Sequence, residues 1–208
     1  MNKQRAGIIL VLFFLTGIIA YSCRHGAGRT INTNDTLAAE LPKTANPPVD
    51  KSSMDISYFP ADFPVKKMGG VEKGNPVARV IYSRPAIDRR VIFGNIVRYG
   101  KPWRMGANEA TEIEFFRNVK IQGQTIPAGR YVLYCIPFED KWNIRLNSDL
   151  YTWGLKINNK KDLYSFEVPV QPLGFTMEYL SMQFIPTNEG AVLRVSWDKI
   201  KTELPISI

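Results

Sequence analysis

The stretch that decides how this chain is organised is residues 84–109, RPAIDRRVIFGNIVRYGKPWRMGANE. It lies between two β-branched runs, residues 77–82 and 111–116, and it shows neither a helical nor an alternating apolar period. Loops of this length inside a compact domain are usually functional or deliberately braced. We therefore predict a long connection between two strands, here called the arginine loop, that carries a binding site or holds itself to the sheet.

Strand-like segments follow the arginine loop at short intervals. Residues 130–136 and 142–146 alternate apolar and polar side chains across a turn, which predicts an antiparallel hairpin with Trp142 on its buried face. Further alternating segments occupy residues 163–170, 179–185 and 191–197, with turns expected at residues 172–174 and 188–190.

No amphipathic helix of three turns is evident after Cys23. Ahead of the first convincing strand, residues 57–60 and 63–65 resemble an apolar entry strand broken by prolines. The expected fold is therefore all-β, an antiparallel β-sandwich or jelly-roll-like barrel, because two sheets must cover each other's apolar faces.

The amino-terminal part of the chain has the pattern of an export signal. Lys3 and Arg5 precede an uncharged run over residues 6–21, which is short for a membrane-spanning helix. Ala20 and Ser22 then lead to Cys23, an order that resembles the lipobox of bacterial lipoproteins. The sequence predicts a signal peptide over residues 1–22 and a lipid-anchored Cys23, with an uncleaved anchor and a cleaved soluble form as the alternatives.

Residues 23–54 predict a flexible tether, because this stretch is rich in Gly, Ala, Thr, Asn and Pro and has no apolar period. The β domain is then expected over residues 55–208. We expect a location in the cell envelope of a Gram-negative bacterium, with the periplasmic side favoured over the cell surface because no acidic residue directly follows Cys23.

Composition excludes several classes of function. The chain has 208 residues, of which 45% are hydrophobic, enough for a buried core. Its formal charge of +8 is spread out, so nucleic-acid binding is not expected. His25 is the single histidine and lies before the domain, which argues against a histidine triad or a His-ligated metal inside it. We expect no cofactor, and Cys135 is expected to be a buried thiol.

Five ordered motifs connect the chain with a known family: YSRP at residues 82–85, RVIFG at 90–94, YGKPWR at 99–104, GANEAT at 106–111 and IPAGRY at 126–131. Together they resemble the domain-of-unknown-function family 2911, whose members are secreted or lipid-anchored bacterial proteins. The resemblance covers residues 56–197. It implies an extracytoplasmic β domain, but it implies neither a reaction nor catalytic residues.

The arginines of the loop allow two interpretations. A guanidinium fork pairs a carboxylate through two hydrogen bonds, so Glu109 would pin the loop to the sheet. Alternatively, the arginines face a cleft and bind an anionic or polyhydroxylated ligand, because buried arginines without enough acid are costly. The candidate ligand-binding residues are Arg84, Arg90, Trp103, Arg104, Asn108, Glu109 and Trp153.

Three functional classes follow. The first is a non-enzymatic binding module for a saccharide, an anionic ligand or an envelope protein, since sugars stack on loop aromatics such as Trp153. The second is a glycosidase-like hydrolase, in which Glu109 needs a second carboxylate such as Glu112 or Asp149. The third is a purely structural envelope lipoprotein. Whether the chain is an enzyme stays open, with a binding role favoured.

Overall fold

The computed structural model describes residues 50–208 of the chain. The predicted signal segment, Cys23 and nearly all of the predicted tether lie outside the described residues. Within residues 50–208, the regular structure consists of nine β-strands, one short α-helix and one 3₁₀ turn. The strands are β1 (Met54–Phe59), β2 (Ala78–Ser83), β3 (Glu112–Phe115), β4 (Val119–Ile121), β5 (Gln124–Ile126), β6 (Gly129–Pro137), β7 (Lys141–Asn147), β8 (Asp162–Thr187) and β9 (Gly190–Ser207).

The prediction of an all-β antiparallel fold is confirmed. The nine strands pair antiparallel in the order β1-β2-β3-β6-β7-β8-β9-β4-β5. They form one open sheet, because β8 belongs to both halves: residues 162–169 pair with β7, and residues 170–187 pair with β9. One buried cluster joins the halves, and it includes Val80 of β2, Leu133 of β6 and Val195 of β9.

The hairpin expected from residues 130–146 is also confirmed. In β7, Trp142, Ile144 and Leu146 are buried in the core, whereas Asn143 and Arg145 on the other face are half-buried. Side chains of a strand alternate between its faces, so this pattern fixes which face of β7 meets the second half of the sheet.

Two local expectations were wrong. Residues 63–65 do not continue an entry strand but begin the helix α1 (Phe63–Met68), where Pro64 stands in the first turn and suits the helical φ. The turn expected at residues 172–174 is absent, because β8 runs through it with register irregularities between Pro172 and Ser181. Such bulges bend and twist a strand without ending it.

The bent part of β8 is fastened to the end of β2 by a set of contacts that we call the seam. The buried Tyr82 hydroxyl accepts a hydrogen bond from the Met182 backbone N–H at 2.9 Å. The Leu180 N–H donates to the Pro85 carbonyl at 3.1 Å, and the Ile87 N–H donates to the Glu178 carbonyl at 2.8 Å. The seam therefore brings the second half of β8 back against the first strands of the sheet.

The Tyr82 hydroxyl provides a test of the seam. Tyr82→Phe leaves the Met182 N–H unpaired in a buried place, which costs about 1–3 kcal/mol. We expect the free energy of unfolding, measured by urea denaturation, to fall by that amount. Tyr164→Phe is the matched control, since the Tyr164 ring packs on Tyr131 and its hydroxyl has no hydrogen-bond partner among residues 50–208. Equal effects of the two substitutions would contradict this role of Tyr82.

Candidate functional site

Arg84 stands at the start of the arginine loop and belongs to the seam. Its Nε donates to the Leu180 carbonyl at 3.2 Å, and its Nη1 lies 3.2 Å from Asp55 Oδ2. Asp55 is on β1, so Arg84 connects the edge strand with the bent part of β8. Of the two interpretations of the loop arginines, bracing therefore describes Arg84, although its acid is Asp55 and not Glu109.

Arg90 folds back on its own turn. Its Nε donates to the Ile87 carbonyl at 3.0 Å, and its Nη2 donates to the Ala86 carbonyl at 2.6 Å. Asp88 and Arg89, between these partners, both adopt positive φ, which tightens the turn. Carbonyl oxygens carry only partial charge, so Arg90 is held in place while its positive charge is not neutralised.

Trp103 ties the far side of the loop to the core. Its N–H donates to the Cys135 carbonyl at 2.8 Å, and the Cys135 N–H donates back at 3.0 Å. Its ring stacks on Trp197 with centroids 5.9 Å apart and meets the fully buried Trp142 edge to face at 5.5 Å. Phe93 packs on all three indoles. Trp103 is thus mainly a core residue, and only part of it is exposed to solvent.

Cys135, opposite Trp103, is completely buried, as expected. Burial raises the pKa of its thiol well above the usual value, because the thiolate would be desolvated. A buried thiol of this kind is a poor nucleophile.

Arg104, like Arg84, is half-buried. Its Nη1 donates to the Trp153 carbonyl at 3.2 Å, and that carbonyl is its hydrogen-bond partner among the described residues. Desolvation lowers the pKa of the Arg104 guanidinium, and the charge of Glu109 opposes this effect from a distance. Among residues 50–208, no carboxylate lies within ion-pair distance of Arg104, so its charge is not neutralised by direct contact.

The side chains of Arg90, Trp103 and Arg104 line one cleft of about 350 Å³, here called the Arg104 cleft. Three of the seven predicted site residues therefore come together. The rest of the lining is mostly apolar and comes from the loop and from distant parts of the chain. It includes Pro85, Ile96, Pro102, Leu155 and Trp197.

A second cleft, also about 350 Å³, lies on the other side of the segment that carries Trp153; we call it the Glu109 cleft. Glu109 is exposed there, and among the described residues it forms no ion pair, so the expected closure of the loop by Glu109 is wrong. The remaining lining comes from β1, β2, the end of the connection before β3, β3 itself and the loop before β8: Met54, Ile81, Ala110, Glu112, Tyr151, Thr152 and Trp153.

Trp153 and Asn108 take different positions. The Trp153 side chain is 53% exposed and lines the Glu109 cleft, while its carbonyl is bound by Arg104. Asn108 adopts a positive φ, and its Nδ2 donates to Asp50 Oδ2 at 2.9 Å. Asn108 therefore holds the first described residues of the chain and lines neither cleft.

The hydrolase hypothesis required a second carboxylate beside Glu109. Asp149 does not meet this requirement in the structure, because its Oδ1 is paired with Lys161 Nζ at 2.6 Å. Glu112 shares the cleft with Glu109, but its Oε2 lies 3.7 Å from Arg130 and its Oε1 accepts the Tyr151 N–H. Of the two carboxylates in the cleft, that of Glu109 has no ion-pair partner among residues 50–208, whereas that of Glu112 is already held by the protein.

The sequence reasoning missed how close the segment of residues 152–155 comes to the loop. Gly154 adopts φ +74°, and a Cβ there would lie 3.0 Å from Arg104 Cβ and 3.1 Å from Ala110 Cβ. Only glycine accommodates both the conformation and the close approach. The Trp153-Gly154 pair inside an irregular connection was the available signal for this contact.

The described part of the chain lacks both a metal-binding cluster and a membrane-spanning helix. Residues 50–208 contain no group of three or more His, Cys, Asp or Glu side chains placed to hold a metal ion. None of the helices in this range has the length and apolar character needed to cross a membrane.

Comparison with known proteins gives one match. Neither the curated proteins nor the solved structures contain a significant match to this chain. The family model described as "Protein of unknown function (DUF2911)" matches residues 66–206, which include both clefts except for residues 52 and 54 and cover more than half of the chain. The chain therefore belongs to the DUF2911 family of proteins of unknown function.

Proposed function

We propose that this protein is a lipid-anchored, extracytoplasmic binding protein that holds a small anionic ligand with an apolar ring or chain in the Arg104 cleft. One observation carries the proposal: Arg90 and Arg104 line the same cleft, and neither is paired with a carboxylate of the described chain. A ligand anion would supply the charge that the protein does not.

The arginines are prepared for such a ligand. Arg90 is fixed by two backbone carbonyls and Arg104 by one, so their positions are set before a ligand arrives. Preorganisation reduces the entropy that binding must lose. Hydrogen bonds between a guanidinium and an anion are also stronger than those between neutral groups.

The apolar lining adds a second requirement. Ile96, Leu155 and Trp103 contribute large apolar surfaces beside the two arginines. Ligand clefts usually combine an apolar wall with a few charged groups that fix orientation. A bare inorganic anion would leave this apolar surface in contact with water, so the ligand class that fits is an organic anion.

The lipid anchor rests on the amino-terminal sequence. The order Ala20, Ser22, Cys23 after an uncharged run supports cleavage before Cys23 and acylation of its thiol and new amino group. The tether over residues 23–54 would then let the domain sample ligands near the membrane, on the periplasmic side. A partner protein or a saccharide at the same cleft is an alternative occupant.

Arg104→Ala tests the binding role. Losing the charge-assisted contacts of Arg104, each about 1.5–3 kcal/mol, is expected to weaken binding of benzenesulfonate by about tenfold or more. Binding is measured by calorimetry on the full chain. Sulfate, which carries only the charge, and benzyl alcohol, which carries only the ring, are the comparison probes. Both are expected to bind more weakly than benzenesulfonate.

The matched control is Arg117→Ala, because Arg117 is exposed in the turn between β3 and β4 and lines neither cleft. It should leave benzenesulfonate binding unchanged. Arg104 makes one hydrogen bond to the protein, so Arg104→Ala should lower the melting temperature by no more than about 4 °C. If it unfolds the domain instead, Arg104 is a structural brace and the binding proposal fails.

The anchor has its own test. Mass spectrometry of the protein from membranes of the native host is expected to show an amino-terminal Cys23 that carries acyl chains. Cys23→Ser should abolish the acylated form, whereas Cys135→Ser should leave it in place, since Cys135 is buried inside the domain. A mature protein that still begins at Met1 would refute the anchor and would leave the cleft proposal untouched.

A further inference from the structure

We propose that the Glu109 cleft is a second binding site, and that it takes an organic cation, an ammonium or guanidinium group carried on an apolar chain. The site is separate from the Arg104 cleft, since the two have no lining residue in common. The segment of residues 152–155 lies between them: Gly154 and Leu155 line one cleft, and Thr152 and Trp153 line the other.

The charge of the site is the first argument. Glu109 and Glu112 both line the cleft, and Glu109 has no ion-pair partner among residues 50–208. Arg130 is the cation nearest to Glu112, at 3.7 Å, and it is shared with Glu114 at 3.8 Å. The lining of the cleft therefore holds two carboxylates and no Lys or Arg, although the chain as a whole is basic.

The aromatic wall is the second argument. The Trp153 ring is 53% exposed, and the Tyr151 ring is 81% exposed, so both are open to a ligand. Their backbone is nevertheless fixed by three hydrogen bonds. The Tyr151 N–H donates to Glu112 Oε1, and the Trp153 carbonyl accepts from Arg104. Between them, the Thr152 carbonyl accepts from the Ala110 N–H. Exposed rings on a fixed backbone form a platform that needs little further ordering.

The chain itself shows which ligand chemistry such a wall favours. The Arg130 guanidinium lies over the Tyr151 ring, 5.9 Å from its centroid, and beside the Glu112 carboxylate. Cations are attracted to the faces of aromatic rings, and to indole most strongly. Trp153 and Glu109 offer the same pair of groups, a ring and a carboxylate, without a cation of the protein between them.

The apolar floor adds a requirement for the rest of the ligand. Met54, Ile81 and Ala110 line the cleft together with the two rings. A hydrated metal ion would gain little from this surface, whereas an organic cation covers it with its own apolar groups. A cationic group on an apolar chain occurs both in small organic ammonium ions and in the Lys or Arg side chains of a peptide, and the ring and carboxylate of the cleft suit both sources.

The test is calorimetric titration of the full chain with two probes, benzyltrimethylammonium and N-acetylarginine amide. We expect Glu109→Gln, which removes the charge but keeps the shape, to weaken both by about tenfold. Trp153→Leu keeps the backbone that Arg104 holds and is expected to weaken them by about threefold to tenfold. Glu139→Gln, in the exposed turn between β6 and β7, is the matched control and should change neither.

Several outcomes would overturn the proposal. One is unchanged binding in Glu109→Gln, and another is binding of benzyl alcohol or methyl glucoside as tight as that of the cations. Tighter binding of N-acetylarginine amide than of benzyltrimethylammonium would assign the site to a peptide side chain, and the reverse order to a small organic ammonium ion. Glu109→Gln should not weaken benzenesulfonate binding, because Glu109 does not line the Arg104 cleft and its negative charge acts on Arg104 only from a distance. Failure of one site therefore does not imply failure of the other.

Discussion

The seam between the end of β2 and the bent part of β8 is the constraint on which the rest of the structure depends. Tyr82 and Arg84 hold the backbone of Met182 and Leu180, and the backbone hydrogen bonds of the seam add to this attachment of the second half of β8 to the first strands. The buried cluster needs that relation, because its residues come from both halves of the sheet. A few buried hydrogen bonds thus direct a much larger amount of apolar burial.

The arginine loop begins at the seam, and this explains how a segment without regular structure is held. It is attached to β8 through Arg84, to its own turn through Arg90 and to β6 through the paired backbone of Trp103 and Cys135. Arg104 follows directly after the last of these attachments and reaches across to the Trp153 carbonyl. The bracing and the candidate site are therefore two parts of one arrangement, in which some arginines hold the loop and others face the cleft.

The segment of residues 152–155 separates two environments of opposite character. On one side lie the guanidinium groups of Arg90 and Arg104 with apolar neighbours, and on the other lie the carboxylates of Glu109 and Glu112 with two exposed aromatic rings. Gly154 makes this wall thin, because a larger residue would collide with Arg104 and Ala110. The two faces of this wall therefore carry charges of opposite sign, and for this reason the ligands proposed for the two clefts are an anion and a cation.

Alternation of side chains in the sequence determined the strands, the β6-β7 hairpin and the burial of Trp142, because the period of two is a local property of the chain. The absence of any such period over residues 84–109 also indicated a loop that contains Arg90, Trp103 and Arg104, and these three residues line one cleft. Only the tertiary structure decided that β8 runs unbroken through residues 172–174, that Asp55 and not Glu109 pairs with Arg84, and that Leu155 and Trp197 complete the cleft. Each of these depends on contacts between segments far apart in the chain, for which the local sequence carries no periodic signal.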